Sequence, residues 1–200
     1  MPRKAFLWLL PVLLLAALPT QADTAQVFFN GHAAFSDNGH GMGPYYGTLD
    51  GVSTYFICVD YSHDIQGDTS WTANVTSLRS SVGYGNTLLN NQNTYLEFAW
   101  LITQGMAAYD SNPQLAAEYQ WAIWSLTGGP DPYGTNAQLV AEALAAVNGG
   151  YTVNNWLILT PTDNYGQEFL TVGNPVPEPS TLLLSGIGLL AIAIFAFVRK

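Results

Sequence analysis

Between Asp23 and Glu178 the chain has no lysine and one arginine, Arg79, against all fourteen of its carboxylates. A surface of that sign repels phosphate, which excludes nucleic-acid binding through a basic footprint and peripheral docking on anionic lipid. Cysteine is nearly absent as well. Cys58 stands alone, so no internal disulfide can form. Its options are an intermolecular bridge, a buried free thiol or committed chemistry. No glycine-rich loop follows a strand in the pattern that cradles phosphate. Two of the three histidines, His32 and His40, fall in Gly/Asn stretches. With Asp37 they could hold a metal, but loop histidines of this kind are ordinarily solvated. Asp37-Asn38-Gly39 has a faint likeness to a calcium loop and lacks the later ligands. Neither a metal nor a cofactor is expected.

What the chain does have is two apolar ends. Arg3 and Lys4 precede the apolar run Phe6–Leu18, and Thr20-Gln21-Ala22 supplies small residues of the kind signal peptidase reads. Residues 1–22 are therefore expected to be a signal peptide, cleaved after Ala22. At the other end, Ser180–Val198 is 19 residues without a charge, followed at once by Arg199 and Lys200. As a helix it would be roughly 28 Å long, enough to cross a hydrocarbon core of about 30 Å. The positive-inside rule puts the basic tip, 199–200, in the cytoplasm and the middle of the chain outside. Prolines at 175, 177 and 179 keep the preceding linker, 174–179, extended and accessible. About 150 residues remain between the two ends, enough for one sizeable core.

Val176-Pro177-Glu178-Pro179, a glycine-bearing Leu-rich span and a terminal basic cluster closely resemble the PEP-CTERM sorting signal of Gram-negative bacteria. The resemblance implies that an exosortase in the inner membrane cuts near the Pro-Glu-Pro and passes the protein toward the cell surface. It also implies an association with exopolysaccharide and biofilm. The basic cluster here has only two residues, fewer than many members show.

The middle, 23–173, reads as one extracytoplasmic α+β domain. Val27-Phe28-Phe29 is a short strand ended by Asn30-Gly31. Tyr45–Leu49 and Val52–Val59 flank Asp50-Gly51, a turn that hairpins favour. Alternation in the second arm sends Val52, Thr54, Phe56, Cys58 and Asp60 to one face, and Tyr55, Ile57, Val59 and Tyr61 to the other. Trp71, Ala73 and Val75 mark a further strand. Thr94–Tyr109 is apolar nearly all round and reads as a buried helix. Asn112-Pro113 opens a second helix with Leu115, Tyr119, Ala122 and Leu126 on one stripe. Thr135–Asn148 is a third, ended by Gly149-Gly150. Trp156–Thr160 and Glu168–Val172 are strands. The expected fold is a mainly antiparallel sheet with an inserted group of two or three helices, plus the C-terminal transmembrane helix.

Cys58 lies in Phe56-Ile57-Cys58-Val59-Asp60, and the second helix carries Gln120-Trp121-Ala122-Ile123-Trp124. An aromatic-flanked Cys-Val-Asp strand with a Gln-x-Ala-Ile-Trp helix is similar to the thioester domains of bacterial surface adhesins. The resemblance implies a bond between the Cys58 sulfur and the Gln120 side-chain carbonyl, made with loss of ammonia. Tyr119 stands where that family often has threonine. A wider resemblance, over most of 45–172, is to a set of PEP-CTERM proteins sharing Cys58, Asp60 and His63, then Ser70-Trp71, the glutamine helix and Gln167-Glu168-Phe169.

A thioester is a stored acyl donor that survives only where water is kept off it. Tyr119, Trp121 and Trp124 could form a dry wall around the bond, beside Asp60. Attack on the Gln120 carbonyl would release Cys58 as a good leaving group. The lack of lysine in 23–178 would spare the acyl group a competing amine, although an acidic exported composition accounts for that lack equally well. The structural alternative is a buried cysteine and a buried polar glutamine packed by tryptophans. Cys58, Asp60, His63 and Asp64 also invite a Cys/His hydrolase or a metal site, but a nucleophile and base five residues apart on one strand point in different directions. No enzyme is expected.

The sequence therefore points to an exported, exosortase-sorted surface or matrix protein. It would pass through the inner membrane with its domain in the periplasm, then reach the cell surface or extracellular matrix. Expected partners are signal peptidase, exosortase, the inner membrane through 180–198, and exopolysaccharide or an amine-bearing surface partner. One reading is covalent binding or cross-linking through Cys58 and Gln120. The alternative is a non-covalent structural or carbohydrate-binding matrix protein whose aromatic side chains stack on sugars.

Overall fold

Two-residue turns set the first three strands. In the computed structural model, which describes residues 24–80, 83–163 and 166–173, β1 (Thr24–Asp37) and β2 (His40–Leu49) are joined by Asn38-Gly39. Asp50-Gly51 joins β2 to β3 (Val52–Cys58). All four turn residues have positive φ, between 48° and 81°, the left-handed geometry whose twist matches that of a hairpin. The expected Asp50-Gly51 hairpin is present, with Leu49 opposite Val52. Strand β4 (Thr69–Ser77) follows, then a single 3₁₀ turn at Tyr84–Asn86. Helices α1 (Gln92–Ala108), α2 (Pro113–Ser125) and α3 (Asn136–Asn148) come next. Strands β5 (Trp156–Pro161) and β6 (Phe169–Val172) complete the described domain.

Every strand pairing is antiparallel, and the order β1-β2-β3-β6-β5-β4 closes into a barrel. Antiparallel strands with an inserted helical group agree with the expected α+β class; the closure is additional. It depends on β1, which pairs with β2 between Val27 and Asp37 and with β4 over Thr24–Phe29. The sequence reading ended this strand at Asn30-Gly31, and the structure corrects it. There the chain makes an irregularity in the ladder, and pairing resumes at Ala33 with Tyr45. Gly31 has φ 77°, and a Cβ on it would lie 2.4 Å from the Gly67 Cα. Only glycine serves at that point.

The barrel is filled with rings. Phe29, Tyr45, Phe56, Trp71 and Phe169 come from five strands and meet at centroid distances of 5.4–6.4 Å. The helical group reaches the end of β3 through Gln120 and the start of β6 through Tyr95. Phe56, Ile57, Cys58 and Val59 are accordingly all buried, so the end of β3 has no solvent face and the expected alternation of faces stops at Thr54 and Tyr55.

The helix starts follow from their caps. The Asn91 side chain accepts from the Asn93 N–H at 3.0 Å, and the Asn112 side chain accepts from the Leu115 N–H at 3.2 Å. The buried face of α2 differs from the expected stripe. Leu115, Tyr119 and Leu126 are half-buried, while Ala116, Ala117, Gln120, Trp121, Ala122, Ile123 and Trp124 are buried. The two indoles have the largest apolar area to remove from water and turn the helix accordingly.

Among the described residues no helix is long and apolar enough to cross a membrane. The expected signal segment 1–22 with its cleavage point after Ala22, the linker 174–179 with Val176, Pro177, Glu178 and Pro179, the span 180–198 and the tip 199–200 lie outside the described residues.

Candidate functional site

Cys58 ends β3 opposite Phe169 of β6 and has no solvent exposure. Gln120 is one of few buried polar side chains, and its amide Nε2 donates to the main-chain oxygen of Cys58 at 2.9 Å. A main-chain carbonyl at the end of a ladder needs a donor, and α2 supplies it. Gly43 of β2 makes room on the far side: a Cβ there would lie 3.0 Å from Ile57 Cδ1 and 3.5 Å from Gln120 Oε1.

The sulfur donates to the main-chain oxygen of Asp60 at 3.2 Å. Asp60 organises the loop after β3. Its buried carboxylate accepts from Ser62 N–H at 2.9 Å and Ser62 O–H at 2.6 Å, and pairs with His63 Nδ1 at 2.7 Å. Gln167 pins the same loop by donating to the main-chain oxygens of Asp60 and His63. Burial pushes the Cys58 thiol up to about 12; the Trp124 indole beside the sulfur pulls the other way, and the Asp60 and Asp64 carboxylates add to the rise. At neutral pH the group is a thiol, and a thiol is a poor nucleophile.

His63, the base that a Cys/His arrangement would use, is turned toward Asp60. The His63 ring uses Nδ1 for Asp60, and Ser62 Oγ meets the same nitrogen at 3.1 Å. Among the described residues no hydrogen bond joins His63 to the sulfur. A serine triad needs serine and carboxylate on opposite ring nitrogens, and here both converge on one.

The Trp124 indole is buried, with no hydrogen bond of ordinary geometry at its N–H. Trp121 instead donates to Asp37 Oδ2 at 2.7 Å, while Tyr133 O–H donates to Asp37 Oδ1 at 2.7 Å. Burial works to raise the Asp37 carboxyl, but these bonds and one from Asn38 outweigh it and hold the group below its ordinary value. Asp37 thus fastens the β1–β2 turn to α2, a role quite unlike that of a calcium ligand. The structure places His32 in β1 and His40 at the start of β2 rather than in loops; His40 keeps solvent contact, and its ring packs on Trp121, Tyr61 and Trp124 at 5.1, 5.8 and 5.9 Å. Tyr119 faces away from the sulfur, against Trp100 and Gly105 of α1. Beside this cluster opens a cleft of about 440 Å³ whose lining includes His40, Tyr61, Trp124, Asp60, His63 and Asp64.

Residues 175–200 match the family model described as the PEP-CTERM protein-sorting motif. The chain carries a PEP-CTERM sorting signal. That signal implies membrane anchoring, processing by exosortase and export to the surface or beyond. No curated protein matches the sequence. Among solved structures, the domain is similar to the N-terminal thioester domain of a surface protein from Clostridium perfringens, at 13% identity and a TM-score of 0.39. That match covers 74% of this chain and 97% of the other.

The sequence motifs carried Cys58, Gln120, Asp60 and Trp124, which the structure gathers at the end of β3. They gave no sign of Gly43, or of Asp37 as an anchor, because those contacts arise only when the β1–β2 hairpin folds over α2. Gln167 was visible as part of a motif, without its task of holding the Asp60 loop.

Proposed function

We propose that this exosortase-sorted protein binds covalently at the cell surface or in the extracellular matrix through a thioester between Cys58 Sγ and Gln120 Cδ. The observation that carries the reading is the Gln120 amide seated on the Cys58 carbonyl oxygen at 2.9 Å in a dry, tryptophan-walled site. Formation is balanced without a co-reactant: the sulfur bonds to Cδ, the amide nitrogen leaves, and the thiol proton departs with it as ammonia. The product acylates one partner once, so the protein is a single-use reagent rather than an enzyme. An amine-bearing partner, with exopolysaccharide as its setting, fits the lysine-free domain.

In the same proposal the signal peptide is cut after Ala22 and the domain waits in the periplasm, held by 180–198 in the inner membrane. Exosortase then cuts near Pro177–Pro179. Replacing Glu178 and its flanking prolines should leave uncut protein in the inner membrane; the same trimmed surface form as wild type would overturn the sorting part.

The cleft edged by His40, Tyr61 and Trp124 supports a second reading, non-covalent binding of a sugar by stacking. The two readings part on mass. The covalent one requires the protein to be lighter than its sequence by one ammonia, with Cys58 closed to thiol reagents.

A further inference from the structure

The Gln120 side chain is 5% exposed, and its two polar atoms are used differently. Nε2 donates to the Cys58 carbonyl oxygen. Oε1 lies toward Gly43, 3.5 Å from where a Cβ on that glycine would stand. Among the described residues no hydrogen bond reaches Oε1. A buried carbonyl oxygen ordinarily has a donor. This one borders a narrow slot between α1 and α2 instead.

The slot has its own lining. Gln120 and Gly43 belong to it, and neither lines the larger cleft at His40. Met106, 37% exposed, and the half-buried Tyr109 mark its solvent end, while Ile57 and Ile102 are buried at the other. No carboxylate lines it, and the only amide there is that of Gln120. Its volume is about 20 Å³, room for about one water-sized group. Glycines keep it open. A Cβ on Gly105 would lie 3.1 Å from the Tyr119 Cβ, and one on Gly43 would lie 3.0 Å from Ile57 Cδ1. Glycine inside a helix is unfavourable, so Gly105 in α1 follows from the closeness of Tyr119.

We propose that this slot, and not the polar cleft, is the path by which an acyl acceptor reaches Gln120 Cδ, and that its width restricts the acceptor to a primary amine on an unbranched alkyl chain. The proposal rests on the thioester reading above and adds a route and a selectivity to it. The amine enters neutral, since an ammonium would find no counter-charge among these walls. Its nitrogen attacks Cδ, a C–N bond forms and the Cδ–Sγ bond breaks. The bonding pair goes to the sulfur, which takes the surplus proton of the amine. The products are an N-alkyl Gln120 amide and the Cys58 thiol.

The alkyl chain of the acceptor lies against Ile102 and Met106, where its burial is favourable. Water gains nothing from those walls, and at the inner end it meets one acceptor where it needs two or more partners. The slot therefore disfavours hydrolysis of the same bond. A branched carbon next to the nitrogen overfills the space, and strain of that kind slows the step by about tenfold to a hundredfold.

The test uses the full chain in detergent with methylamine, n-butylamine, isopropylamine and tert-butylamine. Opening is followed by intact mass and by the appearance of alkylatable Cys58. Each rate is divided by the rate of the same amine on a small thioester in free solution, which removes the intrinsic effect of branching. The expected result is similar corrected rates for methylamine and n-butylamine, and a corrected rate for isopropylamine lower by about tenfold or more. Met106→Ala, at a half-exposed position, should widen the mouth and raise the isopropylamine rate relative to that of methylamine. Ammonia loss with equal corrected rates for all the amines overturns the proposal and leaves the thioester standing. Discrimination that Met106→Ala leaves unchanged overturns it too, because the selection then lies elsewhere. A wild-type protein of full sequence mass overturns the thioester reading, and the proposal with it.

Discussion

The Gln120 side chain donates to the carbonyl oxygen of Cys58, across 62 residues of chain and with both groups buried. This contact ties α2 to the end of β3 while the Gln120 amide is intact; a thioester, which expels the amide nitrogen, would replace it with a covalent tie. Where Cys58→Ala keeps the amide intact, Gln120→Ala should leave the carbonyl without its donor and lower the unfolding free energy by about 1–3 kcal/mol. Gln120→Glu should cost more, because it puts a carboxylate against an acceptor in a dry site. Urea unfolding of Cys58→Ala, alone and combined with each change, separates this hydrogen bond from any covalent bond. In the Cys58→Ala background the main-chain contact persists, so Gln120→Ala should still destabilise.

Glu168 is 1% exposed and accepts from Tyr95 O–H, Thr160 O–H and Leu88 N–H. Burial dominates and raises its folded value; the hydrogen bonds offset only part of that. A carboxyl raised on folding contributes stability below its unfolded value of about 4.3, and that contribution is lost as pH rises through the folded value. Glu168→Gln should therefore remove a component of stability that declines upward from about pH 4, read as a flatter melting temperature against pH. Parallel curves for variant and wild type would refute the assignment.

Asp37 has the opposite sign. Its folded value is lowered by the bonds from Trp121, Tyr133 and Asn38, which exceed the effect of burial. Its contribution is present above the unfolded value of about 3.9 and is lost as pH falls through the folded one. Asp37→Ala should strand the Trp121 N–H, cost about 1–3 kcal/mol and increase hydrogen exchange at the β1–β2 turn. Full protection of that turn in the variant would count against the anchoring role.

Gly31 combines φ 77° with a Cβ position 2.4 Å from the Gly67 Cα. Gly31→Ala should push the loop carrying Gly67 off β1 and destabilise by about 2 kcal/mol or more. Gly39→Ala has positive φ but nothing within 4 Å, so it should cost only about 1 kcal/mol, the backbone part alone. Equal losses at the two sites would show that the close approach has no weight.

The hairpin at Asp50-Gly51 and the start of α2 at Asn112-Pro113 were legible because turn and cap chemistry is local. The continuation of β1 past Gly31 was not. A glycine of positive φ reads alike in a turn and in a ladder irregularity, and only pairing with β2 and β4 decides. The buried side of α2 was misread because an apolar stripe assumes one covered face, whereas Trp121 and Trp124 are enclosed from several sides. At the site, Cys58 and Gln120 stood out through their motifs. Their contact through the Cys58 carbonyl oxygen, and the bonds from Trp121 and Tyr133 to Asp37 across 84 and 96 residues, had no local sign.

The central claim is the bond between Cys58 and Gln120, and the most direct measurement is the intact mass of the exported protein with thiol labelling of the same sample. The expected species is lighter by one ammonia than the sequence between its own termini, and unlabelled at Cys58 until methylamine is added. Cys58→Ala and Gln120→Ala should each restore the full mass while the domain stays folded. A wild-type protein of full sequence mass, labelled at Cys58 on unfolding without any amine, would contradict the claim and leave non-covalent binding in the matrix as the better account.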